Sequence, residues 1–337
     1  MMKGCLITSP CTDPFANLAL EEYLLNYCED TARIILYFWQ NENAVVVGRN
    51  QNAYTECNVG YVSAAGICVA RRITGGGAVF HDLGNLNYSL FLPKRLYRPR
   101  CAEKMLVKAL NGLGIKASLS GRNDICLAGG KISGNACYIG RKAVLCHGTL
   151  LYKVDIKKMA AALNVAPGKL AKRGIVSVKS RVDDIVSHYP AVTLSDLTAA
   201  VQKEVAAVYG LSGFAQLSVG EKDIAPLREK YNSREWNWER IKDYSLSAEK
   251  SFAWGNVRLS LSYAGNDLKD IEISSDALNA DFVENVKLAL RNVTSNPNGE
   301  SPVSFLDDYA LKHEDDRRTV NDIKNMIAEL INGEIGE

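Results

Sequence analysis

The sequence predicts an α+β protein, with helices packed on mixed sheets and a small C-terminal α+β unit. Three observations carry this. Short β-branched and aromatic runs mix with helical patterns without regular βαβ alternation. The composition shifts after Trp238. Beyond that shift Val257, Leu259, Leu261 and Tyr263 alternate strictly with Arg258, Ser260 and Ser262, the mark of a half-buried strand.

The elements follow in chain order. Asp13 as cap and Pro14 at the first helical position open a helix, with Phe15, Leu18, Ala19, Glu22 and Leu25 at helical spacing. Glu21 and Glu22 read as acids near its positive end. Ile34–Trp39 and Ala44–Gly48 read as strands. Asn85–Leu92 is a third, with Leu86, Tyr88 and Leu90 on one face and Asn87, Ser89 and Phe91 on the other. Cys101–Leu113 is an amphipathic helix ended by Gly114. Asn123–Gly130 and Lys142–Tyr152 read as strands flanking a glycine-bearing loop, Gly129 to Gly140. Val192–Tyr209 is a long helix with Thr193 or Ser195 at its cap. Asp243–Lys250 is polar and reads as a hinge. A strand over Phe252–Tyr263, a turn at Gly265-Asn266-Asp267 and a returning strand over Leu268–Ile273 make a hairpin. Helices over Asp281–Arg291 and Val320–Ile331 close the chain, separated by Asn296-Pro297-Asn298-Gly299. The expected division is 1–245 and 250–337.

Composition narrows the function classes. At 337 residues and net charge +2, no global field favours nucleic acid or an anionic membrane. No apolar run reaches the roughly 20 residues of a membrane helix, and the N-terminal stretch is no signal peptide. A cytoplasmic protein is expected. The cysteines (Cys5, Cys11, Cys28, Cys57, Cys68, Cys101, Cys126, Cys137, Cys146) include no CxxC and read as reduced thiols acting as small hydrophobes. Cys126, Cys137, Cys146 and His147 match no zinc spacing.

Chemistry concentrates in two places. Arg71 and Arg72 precede Ile73, Thr74 and the run Gly75-Gly76-Gly77, followed by Ala78-Val79-Phe80-His81-Asp82. Successive glycine N–H groups form an anion cradle, and the arginines supply balancing charge. Neither the Walker nor the Rossmann spacing is present. A tight turn with incidental arginines is the bland alternative. Further on, Lys131 stands among Gly129, Gly130, Ser133 and Gly134, so its ammonium has room to lie against a phosphate and a carboxylate. A solvated turn lysine is the commoner fate. His147 lies in an apolar strand, where a satisfied core histidine is the plainer reading.

These residues together resemble the lipoate–protein ligases. Arg71-Arg72-Ile73-Thr74-Gly75-Gly76-Gly77-Ala78-Val79-Phe80-His81-Asp82, with Gly84-Asn85 behind it, looks like the family signature. Lys131-Ile132-Ser133-Gly134-Asn135-Ala136 looks like the segment carrying the essential lysine. Asn123-Asp124-Ile125, the run from His147 to Leu151 and the run from Ser177 to Val182 match further segments. Glu235–Trp238 and Phe252–Gly255 resemble the end of the catalytic domain and the start of the accessory domain.

The resemblance implies the catalytic fold shared by biotin and lipoyl protein ligases over 1–245, with an accessory domain over 250–337. It implies a two-step reaction. Lipoate and ATP, with Mg²⁺, give lipoyl-AMP. The acyl group then moves to a lysine of the lipoyl domains of 2-oxoacid dehydrogenase E2 subunits or of the glycine-cleavage H protein. The enzyme would be a monomer. By resemblance Lys131 is catalytic and contacts both substrates. Arg72, Gly75, Gly76, Gly77, Ala78, Val79, Phe80, Asn123 and Asp124 meet the nucleotide, and Asp124 is also a candidate Mg²⁺ ligand. Arg72, Thr74, Gly77, His81, Asn85, His147 and Thr149 join Lys131 around lipoate. The triple glycine would let the lipoyl-adenylate lie on the backbone. The inner faces of Ala44–Gly48 and Asn85–Phe91 are candidates for a greasy slot. The alternatives are a transferase using only preformed lipoyl-AMP, an octanoyl or lipoyl amidotransferase working through Cys137 or Cys146, and a non-catalytic carrier-binding protein. The arginine-rich loop of biotin ligases is not found.

Overall fold

The structure, a computed structural model, describes residues 3–164, 182–238, 244, 246–264, 267–294, 306, 309 and 316–331. The run 177–181, the turn residues 265–266 and the separator 296–299 lie outside the described residues. The chain divides into two compact units, one of 1–47, 53–73 and 78–238, the other of 48–52, 74–77 and 239–337.

The first unit is built on an eight-stranded sheet. Its strands are β1 (Gly4–Thr8), β2 (Ile35–Trp39), β6 (Asn85–Pro93), β7 (Ala117–Ser120), β8 (Asp124–Leu127), β9 (Gly130–Ile139), β10 (Ala143–Leu151) and β11 (Phe214–Gln216), in the order β11-β1-β2-β6-β10-β9-β8-β7. Only β11–β1–β2 run parallel; from β2 outward every neighbour is antiparallel. A small sheet of β3 (Ala44–Val47), β4 (Cys68–Arg71) and β5 (Val79–His81) has the order β4-β3-β5.

Helices cover both faces of the large sheet. On one face α1 (Pro14–Thr31) packs Leu18, Leu24 and Leu25 against Ile35, Tyr37, Trp39, Phe91 and Leu145. Asp13 caps α1, its side chain accepting from the Phe15 N–H, and Pro14 stands at the helix start as the sequence requires. On the other face α4 (Cys101–Gly112) packs Met105, Leu106 and Leu110 against Leu36, Phe38, Leu86, Tyr88, Leu90 and Val144. Strand alternation sorts the residues: Tyr37 and Phe38 face opposite clusters, as do Leu90 and Phe91. Each leucine so buried contributes about 1.5–3 kcal/mol. Short helices α2 (Ala53–Glu56), α3 (Val59–Ala64) and α5 (Ile156–Ala162) lie between strands. Next comes α6 (Leu194–Tyr209), whose Thr193 cap and Asp196 form a reciprocal capping box. The unit ends with α7 (Glu221–Asn232) and α8 (Arg234–Asn237).

The second unit has a three-stranded antiparallel meander, β12 (Leu246–Ser251), β13 (Asn256–Ala264) and β14 (Asp267–Ser275), with α9 (Ala280–Thr294) and α10 (Arg317–Ile331). Val320, Ile323, Ile327 and Leu330, at helical spacing on α10, are buried with Val257, Leu259, Leu261, Ile271 and Ile273. The segments 48–52 and 74–77 are knitted into this unit. The Asn50 carbonyl accepts from the Ser275 N–H at 2.8 Å, and Asn50 Nδ2 donates to the Ala280 carbonyl at 2.7 Å.

Three expectations change here. The polar stretch expected as a hinge carries a strand: Leu246–Ser251 pairs in register with Asn256–Leu261. Its polar residues belong to an edge strand, whose outer face is wet. The strand expected over Phe252–Tyr263 begins only at Asn256, because Phe252–Gly255 forms the turn, closed by the Phe252 N–H to the Gly255 carbonyl at 2.9 Å. The loop expected from Gly129 to Gly140 is the ten-residue strand β9. Its glycines concealed the alternation that would have marked it.

Candidate functional site

Lys131 lies near the start of β9, and its Nζ pairs with Asp124 Oδ1 of β8 at 2.7 Å. A β-bulge between Ile125 and Cys126 offsets the two strands there. Both side chains are about one-third exposed (33% and 37%), so the pair adds little stability but stays reachable. A Cβ at Gly134 would stand 2.8 Å from Lys131 Nζ, so the missing side chain gives the ammonium its place.

From Gly134 a line of side chains runs across the sheet. The Gly134 N–H donates to Thr149 Oγ1 at 3.1 Å. Thr149 stands opposite Asn87 on β6, and Asn87 opposite Trp39 on β2. His147, two residues before Thr149, shares that face. Its Nδ1 meets Glu21 Oε1 of α1 at 2.8 Å, and the same oxygen accepts from Ser89 Oγ at 2.5 Å. Ser89 Oγ in turn accepts from Trp39 Nε1 at 2.9 Å. Glu21 is 1% exposed. Sequence reasoning placed it only as an acid near the positive helix end, whereas it is a buried carboxylate aimed at His147. The missed signal was Asn17 and Glu21, one turn apart, on the same helix face as Leu24 and Cys28.

Arg72 and His81 come from the small sheet side. Arg72 is buried, donates from Nη1 to the Val46 carbonyl at 3.0 Å, and has its pKa lowered to about 10 by burial, so it stays a cation at neutral pH. His81 has its pKa lowered to about 3, first by burial and then by Arg72 and His147 nearby. It is therefore neutral at any working pH. Arg71, expected to share the anion charge, is structural: its Nε donates to the Trp236 carbonyl at 2.8 Å and its Nη2 to the Asn237 carbonyl at 3.2 Å, holding α8.

Asn123 is committed locally as well. Its Nδ2 donates to the Asn135 carbonyl at 2.5 Å, and Asn135 Nδ2 returns a bond to the Asn123 carbonyl at 3.0 Å. Tyr88 OH donates to Asn135 Oδ1 at 2.5 Å. A Cβ on Gly148 would overlap Asn135 Oδ1, so that glycine admits the clamp. Neither Asn135 nor Tyr88 was singled out from the sequence.

The triple glycine divides by residue. A Cβ at Gly75 would overlap the Ala277 carbonyl oxygen, and the Gly76 N–H (φ +89°) donates to that oxygen at 3.2 Å, all within the second unit. The chain's own backbone thus requires the glycine at Gly75. Gly77 has nothing within 4 Å of its would-be Cβ. Thr74 is fully buried in the same segment. On β5 the Phe80 ring lies in a core cluster with Val45, Val47 and Val69, while Ala78 and Val79 are partly buried. Asn85 begins β6, fully buried.

The expected greasy slot over Asn85–Phe91 is not greasy on the site face, where Asn85, Asn87 and Ser89 precede Phe91; the apolar residues Leu86, Tyr88 and Leu90 fill the opposite core. Cys137 and Cys146 stand opposite each other on β9 and β10 and form a disulfide, correcting the reading of these two as free thiols. Both belong to the cluster on the α4 face, opposite to His147. Among the described residues no group of three His, Cys, Asp or Glu side chains is placed to hold a metal. No described helix is long and apolar enough to cross a membrane.

Residues 13–206 match the family described as "Lipoyl protein ligase A/B catalytic domain", and residues 242–327 match "Bacterial lipoate protein ligase C-terminus". The "Probable lipoate-protein ligase A" of Mycoplasma pneumoniae is 37% identical over 265 residues, 76% of this chain and 77% of that protein. The "Lipoate-protein ligase A" of Psychrobacter cryohalolentis is 33% identical over 302 residues, 87% of this chain and 89% of that protein. Among solved structures, P. falciparum LipL1 in complex with lipoate aligns at TM-score 0.80 and 22% identity, covering 97% of this chain and 99% of that one, a likeness of fold. A Thermoplasma acidophilum bipartite lipoate protein ligase, described with its E2 lipoyl domain, aligns at TM-score 0.63 and 27% identity, covering 73% and 100%. A lipoate-protein ligase A bound with ATP aligns at TM-score 0.59 and 27% identity, covering 70% and 98%.

Proposed function

The chain belongs to the lipoate–protein ligase A family, and from that premise we propose how its own residues activate lipoate and pass it on. Lipoate and ATP are joined as lipoyl-AMP with release of pyrophosphate. The lipoyl group then forms an amide with a lysine of a lipoyl carrier domain as AMP leaves: an E2 lipoyl domain, in keeping with the Thermoplasma relative, or the glycine-cleavage H protein.

The observation that carries this reading is the Lys131–Asp124 pair at the end of the line Gly134–Thr149–Asn87–Trp39. Attack of a carboxylate on an α-phosphate brings negative charges together and needs a positioned cation more than a strong base. Lys131 is that cation. Its ammonium, released from Asp124, sits between the lipoyl carboxylate and the α-phosphate, and later polarises the acyl carbonyl under attack by the carrier lysine. Arg72 adds a second fixed positive charge. His147, oriented by Glu21, and Thr149 line the acyl side. Gly77, Ala78 and Val79 offer backbone to the nucleotide. Mg²⁺, when bound, would offset phosphate charge on ATP, and Asp124 is the residue that would hold it.

The test is isotope exchange between pyrophosphate and ATP with lipoate and no carrier protein. Exchange is expected. Lipoylation of a carrier from synthetic lipoyl-AMP, with no exchange from ATP and lipoate, would reduce the protein to a transferase. The thioester alternative is disfavoured by Cys137 and Cys146, which are bonded to each other on the sheet face away from His147.

A further inference from the structure

Around His147 almost every buried polar side chain has its partners. Trp39, Ser89 and Glu21 form one hydrogen-bonded chain with His147, and Tyr37, Asn17 and Asn41 form a second. Three atoms nearby are not. Asn85 Oδ1, Asn87 Nδ2 and His81 Nε2 are buried without a hydrogen-bond partner. Asn85 is 0% exposed, and Asn87 and His81 are each 2% exposed. A native fold keeps few such groups, and each asks for an explanation.

Their chemistry can be fixed from their neighbours. Asn41 Oδ1 accepts from Asn17 Nδ2 at 3.0 Å, so Asn41 Nδ2 is the donor toward His81 Nδ1 at 3.1 Å. The proton of the neutral imidazole therefore sits on Nε2, an orphaned donor. Asn85 Nδ2 donates to Asn87 Oδ1 at 3.0 Å. Turning both amides would only reverse that bond. In either setting the pair leaves one NH₂ and one carbonyl oxygen unused. The Trp39 ring borders both places: its centroid is 6.0 Å from the His81 ring, and it stands opposite Asn87.

The position is informative too. Lys131 Nζ lies over Gly134, and Asn87 is two strands further along the same line, about 9.6 Å by ordinary strand spacing. A medium-length acid with its carboxylate at Lys131 reaches this row with its far end. We propose that the Asn85–Asn87 amide pair, with the Nε2–H of His81, reads the sulfur-bearing end of the acyl substrate and makes the site favour lipoate over octanoate. This rests on the ligase reading above. Sulfur is a weak hydrogen-bond acceptor and packs well on an aromatic ring. An alkyl end covers the same donors, strips them of water and returns nothing. Sites built with polar groups discriminate strongly against the analogue that leaves those groups unpaired.

The experiment measures kcat/KM for lipoate and for octanoate in the exchange assay, with wild type, Asn87→Leu and Asn87→Ala, each checked for folding by circular dichroism. Wild type is expected to favour lipoate at least tenfold. In Asn87→Leu the ratio falls about fivefold or more, chiefly because octanoate improves. Asn87→Ala, which removes the donor without adding bulk, lowers the ratio as well and carries the test if the leucine variant does not fold. An unchanged ratio in a folded variant, or a wild type indifferent to the two acids, overturns the inference and leaves the ligase reading intact. A wild type that supports exchange with neither acid overturns both.

Discussion

Two glycine-bearing stretches look alike in the sequence and do opposite things in the structure. In Thr74–Gly77 the tight glycine, Gly75, is tight against the chain's own Ala277 carbonyl. In β9 and β10, Gly134 and Gly148 make room for side chains, the ammonium of Lys131 and the amide of Asn135. One stretch uses its missing Cβ atoms for backbone packing, the other to seat polar side chains. A glycine run thus states that something comes close, and only the surroundings say what.

The sharpest break of this comparison is Lys131→Met. The methionine keeps the side-chain length and removes the charge for which Gly134 leaves space. Loss of a single contact of this kind costs about 2.7–4 kcal/mol, some 10²- to 10³-fold in rate. Exchange and transfer from synthetic lipoyl-AMP are both expected to fall by at least that much, with the melting temperature nearly unchanged. Near-normal rates in both assays would make Lys131 a solvated lysine and remove the contrast between the stretches.

Gly134→Ala tests the second stretch without touching a charge. Its Cβ would meet Lys131 Nζ at 2.8 Å and Cε at 3.0 Å, the far end of a flexible side chain. The chain fold yields little and the ammonium moves. Misplacement by about 1 Å can cost up to about 10²-fold, so a loss of roughly ten- to a hundredfold in exchange is expected, with little change in stability. Gly75→Ala does the reverse. Its Cβ would meet backbone atoms of Ala277 and Leu278, which cannot swing aside. A destabilisation of about 1–3 kcal/mol is expected, read as a lowered melting transition. A stable Gly75→Ala protein that has lost only activity would return Gly75 to the ligand.

The same contrast explains what the sequence revealed. The helix from Asp13, the alternation of Asn85–Leu92 and the C-terminal hairpin were legible because periodicity and caps are local signals. Strand β9 was not legible, because Gly130 and Gly134 interrupt its pattern where Asp183 and the Lys131 side chain come close. Lys131, His147 and Thr149 were singled out through motif resemblance, and the fold sets the Lys131 ammonium beside Gly134, which bonds Thr149 on the face of His147. Glu21 and Asn135 were missed, because their roles arise across long separations, Glu21 to His147 and Asn135 to Tyr88. Arg71 was misread for the same reason: its partners, Trp236 and Asn237, are far along the chain.

Gly77 is where the two uses of glycine can be told apart with the smallest perturbation. Nothing lies within 4 Å of its would-be Cβ, and its φ is not in the left-handed region. Alanine there needs no rearrangement in the free protein. It restricts the unfolded chain, which stabilises by about 0.4–1 kcal/mol where the backbone is compatible. If the nucleotide lies on this backbone as proposed, the added methyl obstructs only the complex. The expected result is a melting temperature equal to or slightly above wild type, with KM for ATP raised several-fold and transfer from preformed lipoyl-AMP weakened alongside. Unchanged KM in an equally stable protein would mean that no nucleotide touches Gly77. The triple glycine would then serve the second unit's packing alone, and the nucleotide would be held by Lys131 and the elements around it.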